Sequence, residues 1–557
     1  MRCPAGRASR LRRLCAVGSL ASIACAAPST ADYGPAIAQL ERLIPELMRA
    51  ADVPGLSIAL VDGGETVWLR GFGHTDRTGA TPVTGLTTFS LQSISKTYTA
   101  VGVLLAVESG RLGLDDPLVR HLPGFTIRSR FGDDQAGRIT IRHLLSHWAG
   151  LPHEAPVGGN FDQRPTTFER HVASIADAWL MFPVGFRYSY SNLGPDLAGY
   201  ALERVTGQAF AEYLRGALFE PLGMTASTFE EAQARRRTDL ARGHAGDREV
   251  PDLQIAIIPS GGMYSTARDM ARFVSFMLAG GVVDGERLLS PAVLAQMATP
   301  QLGFARPGGY GLGVSVRPMA GAALLAHGGD GYGYATMQAW IPAHRVGVVV
   351  LSNQHSGIAY ELADSALRKM VRAKLGEVPP DPPASLSNEP EIEPDPAILS
   401  RLAGSYKRRS SLIRFAVVDG ALHADSTRLV ARGPTTYTGP GVRYRFDLGP
   451  DGAPRGVEMT SCCGLEYWPF NDGPGDPPGP NRAWWASVVG SYRAPVFGGF
   501  HPMEVSIRRG HLYLDWGGGQ RLREHGPRLY FTPDGESVRF LDDLVEVGNR
   551  PFTRIPR

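Results

Sequence analysis

SLQSISKTYTAVGVLLAVESG, residues Ser90 to Gly110, places a lysine three positions after a serine at the start of an apolar segment. The apolar pattern predicts a helix from Ser93 to Val107. Residues three apart share one face of a helix, so the hydroxyl of Ser93 and the amine of Lys96 are expected to meet on its first turn. The helix N-terminus adds positive potential there, which favours an alkoxide and an oxyanion.

Lysine is rare in this chain, and its use at position 96 is therefore informative. Of 57 lysines and arginines, only Lys96, Lys369, Lys374 and Lys407 are lysines. A serine hydroxyl becomes a good nucleophile when a neighbouring base takes its proton. Arginine keeps its own proton, whereas a desolvated lysine can share one. The pair indicates nucleophilic catalysis, although Ser-x-x-Lys also arises by chance, and the motif alone leaves both interpretations open.

Two further segments carry polar groups suited to a catalytic cleft. Tyr190-Ser191-Asn192 precedes a predicted helix that starts near Pro195, so a phenol and an amide share one polar loop. His327-Gly328-Gly329 lies on a predicted strand, where the two glycines would let a ligand approach the backbone closely. Both segments raise the probability that the Ser-x-x-Lys pair belongs to a catalytic site.

These three motifs, Ser-x-x-Lys from 93, Tyr-x-Asn from 190 and His-x-Gly from 327, resemble in type and order those of the serine β-lactamase and penicillin-binding-protein-like family. The segments IRHLLSHWAGLP, PSGGMYSTARDMARF and GVVVLSN add further matches. The resemblance spans residues 34–375. Within the family, this sequence looks most similar to the group that contains class C β-lactamases, D-alanyl-D-alanine carboxypeptidases, D-aminopeptidases and related esterases. The tandem β modules behind a linker look most like the D-aminopeptidases.

The resemblance implies a role for each polar side chain. Ser93 would be the acylated nucleophile, and Lys96 would share its proton. Tyr190 would act as general base towards Ser93 and then as acid towards the leaving group, since the positive charge of Lys96 stabilises a phenolate. Asn192 would hold the substrate amide or ester. The backbone N–H groups of Ser93 and Asp330 would form the oxyanion hole.

His327, with Gly328 and Gly329, would line the substrate site where the lactamases usually carry a lysine. A histidine has an ordinary pKa of about 6.5 and is largely neutral at pH 7, so it attracts the carboxylate of a β-lactam less than a lysine does. We therefore expect a peptidase or an esterase, with β-lactamase as the alternative. Asp330 would add a negative charge near the site and favour a substrate with a free amine.

Other classes of function have weaker support in the sequence. The histidines at 143, 147 and 153 lack the acidic motif that accompanies a zinc site, and neither a metal nor a cofactor is expected. The sequence has no G-x-S-x-G segment, the motif that carries the nucleophile of α/β-hydrolases, which counts against that fold. A non-catalytic peptidoglycan- or penicillin-binding module is the alternative of another class. The expected partner is a small-molecule or short-peptide substrate, and the sequence does not indicate an oligomeric state.

Periodicity before residue 376 predicts an α+β domain. The stretch from Gly55 to Gly73 forms a hairpin around Asp62-Gly63-Gly64, and strands at 334–341 and 345–352 are expected to join it in one antiparallel sheet. The chain between them reads mostly helical. The expected fold is an antiparallel sheet flanked by helices with a mostly helical lobe. The resemblance of the motifs implies that this fold is of the β-lactamase/transpeptidase type. The other predicted helices are Ile141–His147, Pro195–Thr206, Gln208–Phe219 and Thr266–Met277, with a capping box at Thr266 and Asp269.

Proline and glycine divide the rest of the chain. A Pro-rich linker at 376–397 contains seven prolines between Gly376 and Pro396. Beyond it, alternating runs and Asp-Gly turns predict all-β structure, in β modules at 398–470 and 482–557. Gly-Ser-Tyr occurs at 404 and again at 490, which indicates a repeat, although one barrel of two similar halves would also explain it. Trp484, Trp485 and Trp516 could bind sugar or pack in cores, and we expect these modules to cap the cleft.

The N-terminus reads as a secretory signal peptide at 1–26. Five arginines precede an apolar run from Leu14 to Ala27 that is too short to span a bilayer. Removal of residues 1–26 would change the formal charge of the chain from +3 to −2, and a chain with this net charge is not expected to attract nucleic acid. A periplasmic or secreted protein without a transmembrane segment is expected, with lipoprotein anchoring at Cys25 as an alternative. The mature chain would keep only Cys462 and Cys463, which cannot build a disulfide framework.

Overall fold

The computed structural model describes residues 31–555 except 163, 252–255, 302–308, 382–389, 409–410, 440–441, 462–463, 471–482, 497–498, 509 and 516–519. The predicted signal peptide at 1–26, the cysteine pair at 462 and 463, and Trp516 lie outside the described residues. None of the helices in the described part of the chain has the length and apolar content needed to cross a membrane.

The strands before residue 376 form one large sheet and three two-stranded pairs in the described residues. In chain order they are β1 (Gly55–Asp62), β2 (Glu65–Gly73), β3 (Thr88–Ser90), β4 (His244–Ala245), β5 (Arg248–Glu249), β6 (Tyr264–Thr266), β7 (Val282–Val283), β8 (Glu286–Arg287), β9 (Gly309–Tyr310), β10 (Ser315–Met319), β11 (Ala322–Gly331), β12 (Tyr334–Ile341) and β13 (Val346–Ser352). The large sheet has the strand order β2-β1-β13-β12-β11-β10-β9, and each strand is antiparallel to the strands beside it. Strands from both ends of this part of the chain therefore meet at its centre, as the sequence predicts.

Helices cover both faces of this sheet and form a lobe beside it. In chain order they are α1 (Gly34–Ala50), α2 (Ser95–Glu108), α3 (Leu118–His121), α4 (Gln135–Arg138), α5 (Ile141–Ser146), α6 (Phe168–Ser174), α7 (Leu193–Thr206), α8 (Phe210–Leu214), α9 (Glu231–Arg235), α10 (Ile258–Gly261), α11 (Ala267–Leu278), α12 (Pro291–Ala298) and α13 (Ile358–Leu375). The predicted α+β class, with a mostly helical lobe, is confirmed.

Two cores meet at the sheet because successive side chains of a strand point to opposite faces. Strand β1 is buried along its whole length. Its residues Ile58 and Leu60 enter a core with α1 and α13. Ala59 and Val61 enter the core of the helical lobe, which includes α2 and α11. Burial on both sides explains why the strand reads as a nearly continuous apolar run in the sequence.

Local structure departs from the predicted helices at three places. Residues Gln92–Ile94 form a 3-10 turn, so α2 itself begins at Ser95. The segment predicted as one helix from Gln208 is α8 followed by a π-helical turn at Arg215–Phe219. Thr266 accepts a hydrogen bond from the backbone N–H of Asp269 as an N-cap does. The Asp269 carboxylate instead accepts from the backbone N–H of Ala226 at 2.7 Å, so the reciprocal half of the capping box is absent there.

The chain after residue 390 is built almost entirely of strands. They are β14 (Gly404–Arg408), β15 (Ser411–Val418), β16 (Ala421–Ala424), β17 (Thr427–Arg428), β18 (Val430–Gly433), β19 (Thr436–Gly439), β20 (Val442–Leu448), β21 (Pro454–Ser461), β22 (Gly464–Pro469), β23 (Gly490–Val496), β24 (Gly499–Arg508), β25 (His511–Asp515), β26 (Gln520–Arg521), β27 (Arg523–Gly526), β28 (Leu529–Phe531), β29 (Ser537–Phe540), β30 (Leu544–Val547) and β31 (Arg550–Arg554). Two short helices precede these strand sets, α14 (Pro396–Leu402) and α15 (Trp485–Val488). The predicted all-β class of this part is confirmed.

The strands on either side of residues 471–482 repeat one topology. The later set forms a sheet in the order β26-β25-β24-β23-β31-β30-β29-β28-β27, a nearly closed barrel whose ends are adjacent in the chain. The earlier set has β14-β15-β16-β17 in one sheet and β18-β19-β20-β21-β22 in another, and a bridge from Tyr406 to Phe470 links β14 to the segment that follows β22. Numbered from its first strand, each set has the same order. Among the described residues, the strands of one set pair only with each other.

The repeated Gly-Ser-Tyr segment has the same structure in both sets. Tyr406 donates a hydrogen bond to the carbonyl of Leu402 at 2.9 Å, and Tyr492 donates to the carbonyl of Val488 at 2.7 Å. Both tyrosines are buried at the start of the first strand of their set. Each phenol therefore ties the short helix that precedes its strand set to the hydrophobic core of that set.

Substitution Y406F or Y492F should destabilise one strand set only, because each removes the partner of a buried carbonyl in that set. A loss of about 1 to 2 kcal/mol corresponds to a factor of roughly 5 to 30 in the population of open forms. Native-state hydrogen exchange of residues 404–408 and 490–496 measures it. Equal loss of protection in both sets would show instead that they unfold as one barrel.

Candidate active site

Lys96 lies at the centre of the candidate site with its side chain completely buried. Its Nζ lies 3.0 Å from Ser93 Oγ, 2.8 Å from Asn192 Oδ1 and 2.8 Å from the carbonyl oxygen of Ser260. These three acceptors match the three N–H donors of an ammonium group. The Nζ atom also lies 5.0 Å from the centre of the Tyr190 ring. Ser93, Tyr190 and Asn192, from the first two motifs, therefore surround the buried amine of Lys96.

The backbone before Ser93 holds the serine at the end of a strained turn. Gln92 has φ of 52°, in the left-handed region that non-glycine residues rarely adopt. Its side chain donates to Ser90 Oγ at 2.7 Å, and its carbonyl accepts from Ser95 Oγ at 2.6 Å. Strain of this kind persists where surrounding contacts over-determine the conformation. Ser93 is partly exposed as a result, while Lys96 behind it is covered.

A buried polar group behind Lys96 orients one of its acceptors. Asp196, on α7, accepts hydrogen bonds from the backbone N–H of Ser260 at 2.9 Å and from the Ser260 hydroxyl at 3.0 Å. His171 Nε2 lies 3.1 Å from Asp196 Oδ2. Burial alone would lower the pKa of His171, but Asp196, together with the Val157 carbonyl and the charge of Glu154, outweighs it and the pKa is raised. Asp196 thus holds the short α10 segment so that the Ser260 carbonyl faces Lys96.

Asn192 is held at both ends of its side-chain amide. Its Oδ1 accepts from Lys96, and its Nδ2 donates to Glu154 Oε1 at 3.2 Å. Glu154 is buried, and the same Oε1 lies 2.6 Å from His153 Nδ1. Burial alone would raise the pKa of Glu154, yet His153, Arg550 and the backbone N–H of Asn160 lower it to about 2. An ionised Glu154 therefore fixes which end of the Asn192 amide faces Lys96.

Aromatic rings and two histidines form the wall next to Tyr190. The His147 ring lies 4.4 Å from the Tyr190 ring and 4.7 Å from the Tyr310 ring, measured between centroids. His147 Nδ1 accepts from the backbone N–H of Ser191 at 3.2 Å. Burial, and then the charge of Lys96, lowers the pKa of His147 well below that of an exposed histidine. His147 is therefore a neutral packing and hydrogen-bonding group rather than a cation.

His327 lies on β11 and faces the same side of the sheet as α2. Its Nε2 is 2.8 Å from the hydroxyl of Tyr310, and its ring centroid is 6.4 Å from that of Tyr190. Burial, together with the charge of Lys96, lowers the pKa of His327 to about 3. The expectation of a neutral histidine at pH 7 therefore has a structural basis. A substrate carboxylate would meet no positive charge from this side chain.

The two glycines after His327 are packed against neighbouring atoms. A Cβ on Gly329 would lie 2.0 Å from the carbonyl oxygen of Leu91, and one on Gly328 would lie 2.1 Å from the hydroxyl of Tyr360. Strand β11 therefore runs directly beside the turn that carries Ser93. The atoms that approach these glycines belong to the protein itself, so the predicted close approach of a ligand to the backbone is not what the glycines provide here.

The side chain of Asp330 points to the other face of β11. Its Oδ2 accepts from the hydroxyl of Tyr360 at 2.5 Å, and its Oδ1 lies 3.6 Å from His355 Nδ1. Alternation along a strand puts residues 327 and 329 on one face and 328 and 330 on the other. The carboxylate faces Tyr360 rather than Lys96, so the predicted preference for a free amine gains no support from it.

The three histidines considered as zinc ligands have separate local partners. His143 Nδ1 lies 2.9 Å from the hydroxyl of Thr140, which caps α5, whereas His147 packs on Tyr190 and His153 contacts Glu154. In the described ranges, no group of three or more His, Cys, Asp or Glu side chains is placed to hold a metal ion.

Sequence reasoning found the residues that carry recognisable motifs and missed those that support them. Ser93, Lys96, Tyr190, Asn192 and His327 are brought together, and their roles in a reaction stay predictions. The supporting residues missed were Glu154, Asp196, Ser260 and Tyr310. Ser260 lies in the segment PSGGMYSTARDMARF, whose resemblance is a signal, but its contribution is a backbone carbonyl that no side-chain motif shows.

Comparison with known proteins assigns the chain to a family. A model of the Beta-lactamase family matches residues 40–372, so the chain belongs to this family. Fold and family together define a hydrolase of the serine β-lactamase and penicillin-binding-protein type, which confirms the resemblance inferred from the motifs.

Individual relatives are distant and differ in extent. The chain is 27% identical to penicillin-binding protein 4* of Bacillus subtilis over 373 residues. The aligned region covers 63% of this chain and 78% of that protein. It is 28% identical over 349 residues to the unguisins hydrolase ungD' of Aspergillus campestris, covering 59% of this chain and 63% of that protein. It is 24% identical to protein flp of Staphylococcus aureus over 244 residues, 43% of this chain and about half of flp (48%).

Solved structures share the fold at low identity. The octameric penicillin-binding protein homologue from Pyrococcus abyssi has a TM-score of 0.54 and 23% identity, covering 87% of this chain and 100% of that one. A class C β-lactamase from Rhodobacter sphaeroides has a TM-score of 0.50 and 22% identity, covering 61% of this chain and 99% of that one.

The low pKa of His327 predicts how stability changes with acid. Below a pH of about 6.5 the unfolded chain binds a proton at this histidine and the folded chain does not, so stability falls as the pH drops towards 3. One such group contributes up to about 1.4 kcal/mol per pH unit. Urea unfolding at pH 4 to 7 should therefore show a shallower decline for H327Q than for the wild type. Parallel curves would contradict a neutral, buried His327.

Proposed function

We propose that this protein is an exported serine hydrolase that cleaves a small amide or ester through an acyl-enzyme on Ser93. The observation that supports this most directly is the 3.0 Å contact between Ser93 Oγ and the buried Nζ of Lys96, which also lies 5.0 Å from the centre of the Tyr190 ring. Ser93 is accessible enough to meet a carbonyl group, while Lys96 is sealed from water. Desolvation strengthens the electrostatic effect of a charge on its neighbours.

The proposed reaction has two steps with Tyr190 as the proton carrier. In acylation, Ser93 Oγ attacks the substrate carbonyl, its proton passes to the Tyr190 phenolate, and the same proton then goes to the leaving amine or alcohol. In deacylation, Tyr190 takes a proton from water, the hydroxide attacks the acyl group, and Ser93 recovers a proton as the acid leaves. Lys96, with its N–H groups directed at three acceptors, places its positive charge 5.0 Å from the centre of the Tyr190 ring, next to the reacting groups.

The oxyanion of each tetrahedral intermediate would be held by the backbone N–H groups of Ser93 and Asp330. The close approach of β11 to the Ser93 turn at Gly329 supports this pairing. Removing one donor from such a hole typically costs about 10²- to 10³-fold in rate.

The neutral His327 favours a peptidase or an esterase over a β-lactamase. D-Aminopeptidase, D-alanyl-D-alanine carboxypeptidase and esterase activities share the chemistry proposed here. The relatives include a penicillin-binding protein and a hydrolase, which supports the reaction class. β-Lactamase activity is the second candidate, supported by the family and by the class C structure. The basic and apolar N-terminal sequence supports export to the periplasm or the medium.

A covalent probe separates this proposal from a non-catalytic binding module. The full chain without residues 1–26 would be incubated with a fluorescent fluorophosphonate and, separately, with a labelled penicillin, and the marked peptide identified by mass spectrometry. A hydrolase is expected to be marked at Ser93, and S93A is expected to remain unmarked. Absence of label on the wild type would contradict the acyl-enzyme. A screen of D-amino acid amides, short-chain esters and penicillins would then identify the substrate.

Substitution K96R should abolish turnover without unfolding the protein. The guanidinium keeps the charge but replaces a compact amine that contacts three acceptors in a sealed space. We expect turnover to fall by about 10²-fold or more, because the larger guanidinium would displace the Ser93 hydroxyl and the Asn192 amide, and misplacing a catalytic group by about 1 Å can cost about 10²-fold. Circular dichroism and thermal unfolding, with S93A as the matched control, test retention of the fold. Near-normal turnover in a folded K96R would contradict this role.

A further inference from the structure

The nearly closed barrel formed by β23 to β31, here called the second barrel, contacts the loop at residues 153–162. This loop carries Glu154, which binds Asn192 in the candidate site. Asn549 donates a hydrogen bond from Nδ2 to the backbone carbonyl of Glu154 at 2.9 Å, although the two residues are 395 positions apart in the chain. The guanidinium of Arg550 lies 5.3 Å from the ring centre of Phe161 in the same loop. Asn549 lies in the turn between β30 and β31, and Arg550 is the first residue of β31. The loop from His153 to Asp162 is therefore clamped from outside the domain that carries Ser93.

Other residues of the second barrel also contact the domain that carries Ser93. The Phe531 ring lies 5.6 Å from the Trp179 ring between centroids, and the Arg130 guanidinium lies 4.1 Å from the Phe531 ring centre. A Cβ on Gly535 would lie 2.6 Å from the carbonyl oxygen of Met181. The contact with Glu154 thus belongs to a packed interface, which restricts the positions available to the turn.

The turn itself is shaped to present Asn549. Gly548 has φ of 55° and Asn549 has φ of 67°, so both central residues of the hairpin connection are left-handed. Two-residue hairpin turns of this kind favour glycine and asparagine. Asn549 is buried as well, with 9% of its surface exposed. Its amide is therefore pre-positioned by the backbone to donate to one carbonyl.

Glu154 transmits this contact to the site. Its Oε1 accepts from the side-chain amides of Asn160 at 2.8 Å and Asn192 at 3.2 Å, and its Oε2 accepts from the backbone N–H of Asn160 at 3.0 Å. A Cβ on Gly159 would lie 2.7 Å from Oε2, so the carboxylate fills its space. A shift of the Glu154 backbone would move the carboxylate away from Asn192, whose Oδ1 contacts Lys96.

We propose that Asn549 and Glu154 are positioning residues for acylation, through which the second barrel holds Asn192 against Lys96. This inference rests on the proposed function, because it concerns the rate at which Ser93 is acylated. The barrel then has a part in catalysis that is independent of any effect on the size of the substrate. Neither residue is assigned contact with the substrate.

The test compares N549G, N549D and E154Q in the full chain without residues 1–26. N549G removes the amide but keeps a residue that accepts positive φ, and N549D keeps the shape but turns an acceptor towards the Glu154 carbonyl. Misplacing a catalytic group by about 1 Å can cost up to about 10²-fold. We expect the rate of Ser93 labelling by the fluorophosphonate, and kcat for p-nitrophenyl acetate, to fall about threefold to tenfold in N549G and more in N549D and E154Q. KM should change by less than about twofold.

V545A is the matched control for loosening of the barrel. Val545 is completely buried in the core of the same barrel and lies on β30, next to the turn. The cavity it leaves should lower the stability of the barrel at least as much as N549G does, yet its labelling rate should match that of the wild type. The double variant N549G/E154Q should be no slower than E154Q alone, because Asn549 is proposed to act on the site only through the Glu154 carboxylate, which E154Q has already changed.

Wild-type labelling rates in N549G and N549D, or an equal slowing in V545A, would overturn the inference. Additive effects of N549G and E154Q would overturn it too, since Asn549 would then act by another route. Hydrogen exchange provides a readout that does not depend on activity: residues 153–162 should exchange faster in N549G than in V545A. Failure of the wild type to label at Ser93 would instead contradict the proposed function, and the exchange result would still decide whether Asn549 holds the loop.

Discussion

A fully buried lysine is the constraint on which the rest of this structure depends. Placing an ammonium group out of contact with water is costly unless each of its N–H groups has an acceptor. Lys96 meets that requirement with a hydroxyl, a side-chain amide and a backbone carbonyl, which come from the turn of Ser93, the start of α7 and α10. Three separated segments must therefore be folded and in register before the amine is satisfied, so forming the site and folding the domain are closely linked.

The electrostatics around this amine follow from its burial. Burial lowers the pKa values of His147 and His327, and the charge of Lys96 acts in the same direction, so both imidazoles stay neutral beside it. The compensating negative charges lie one layer further out. Asp196 acts through Ser260, and Glu154 acts through Asn192. The site thus has the Lys96 cation at its centre, and the anions Asp196 and Glu154 orient its hydrogen-bond acceptors without touching it.

Sequence patterns predicted the parts of the fold and site that depend on local spacing. The turn at Asp62-Gly63-Gly64 defined the first hairpin, and the three-residue spacing of Ser93 and Lys96 brought a hydroxyl to an amine. The face on which Asp330 points could not be predicted, because it depends on the register of β11 in the sheet. The contact between Glu154 and Asn549 joins residues 395 apart, and no local pattern records it.

The two strand sets at the end of the chain are laid out alike, as tandem duplication of one barrel would leave them. A copied barrel arrives with its core already able to fold, so only the surface has to adapt to a new neighbour. In the second copy, the surface that meets its neighbour includes Phe531, Gly535 and the hairpin tip that carries Asn549. A large and seemingly accessory part of the protein can in this way become tied to chemistry through very few changes.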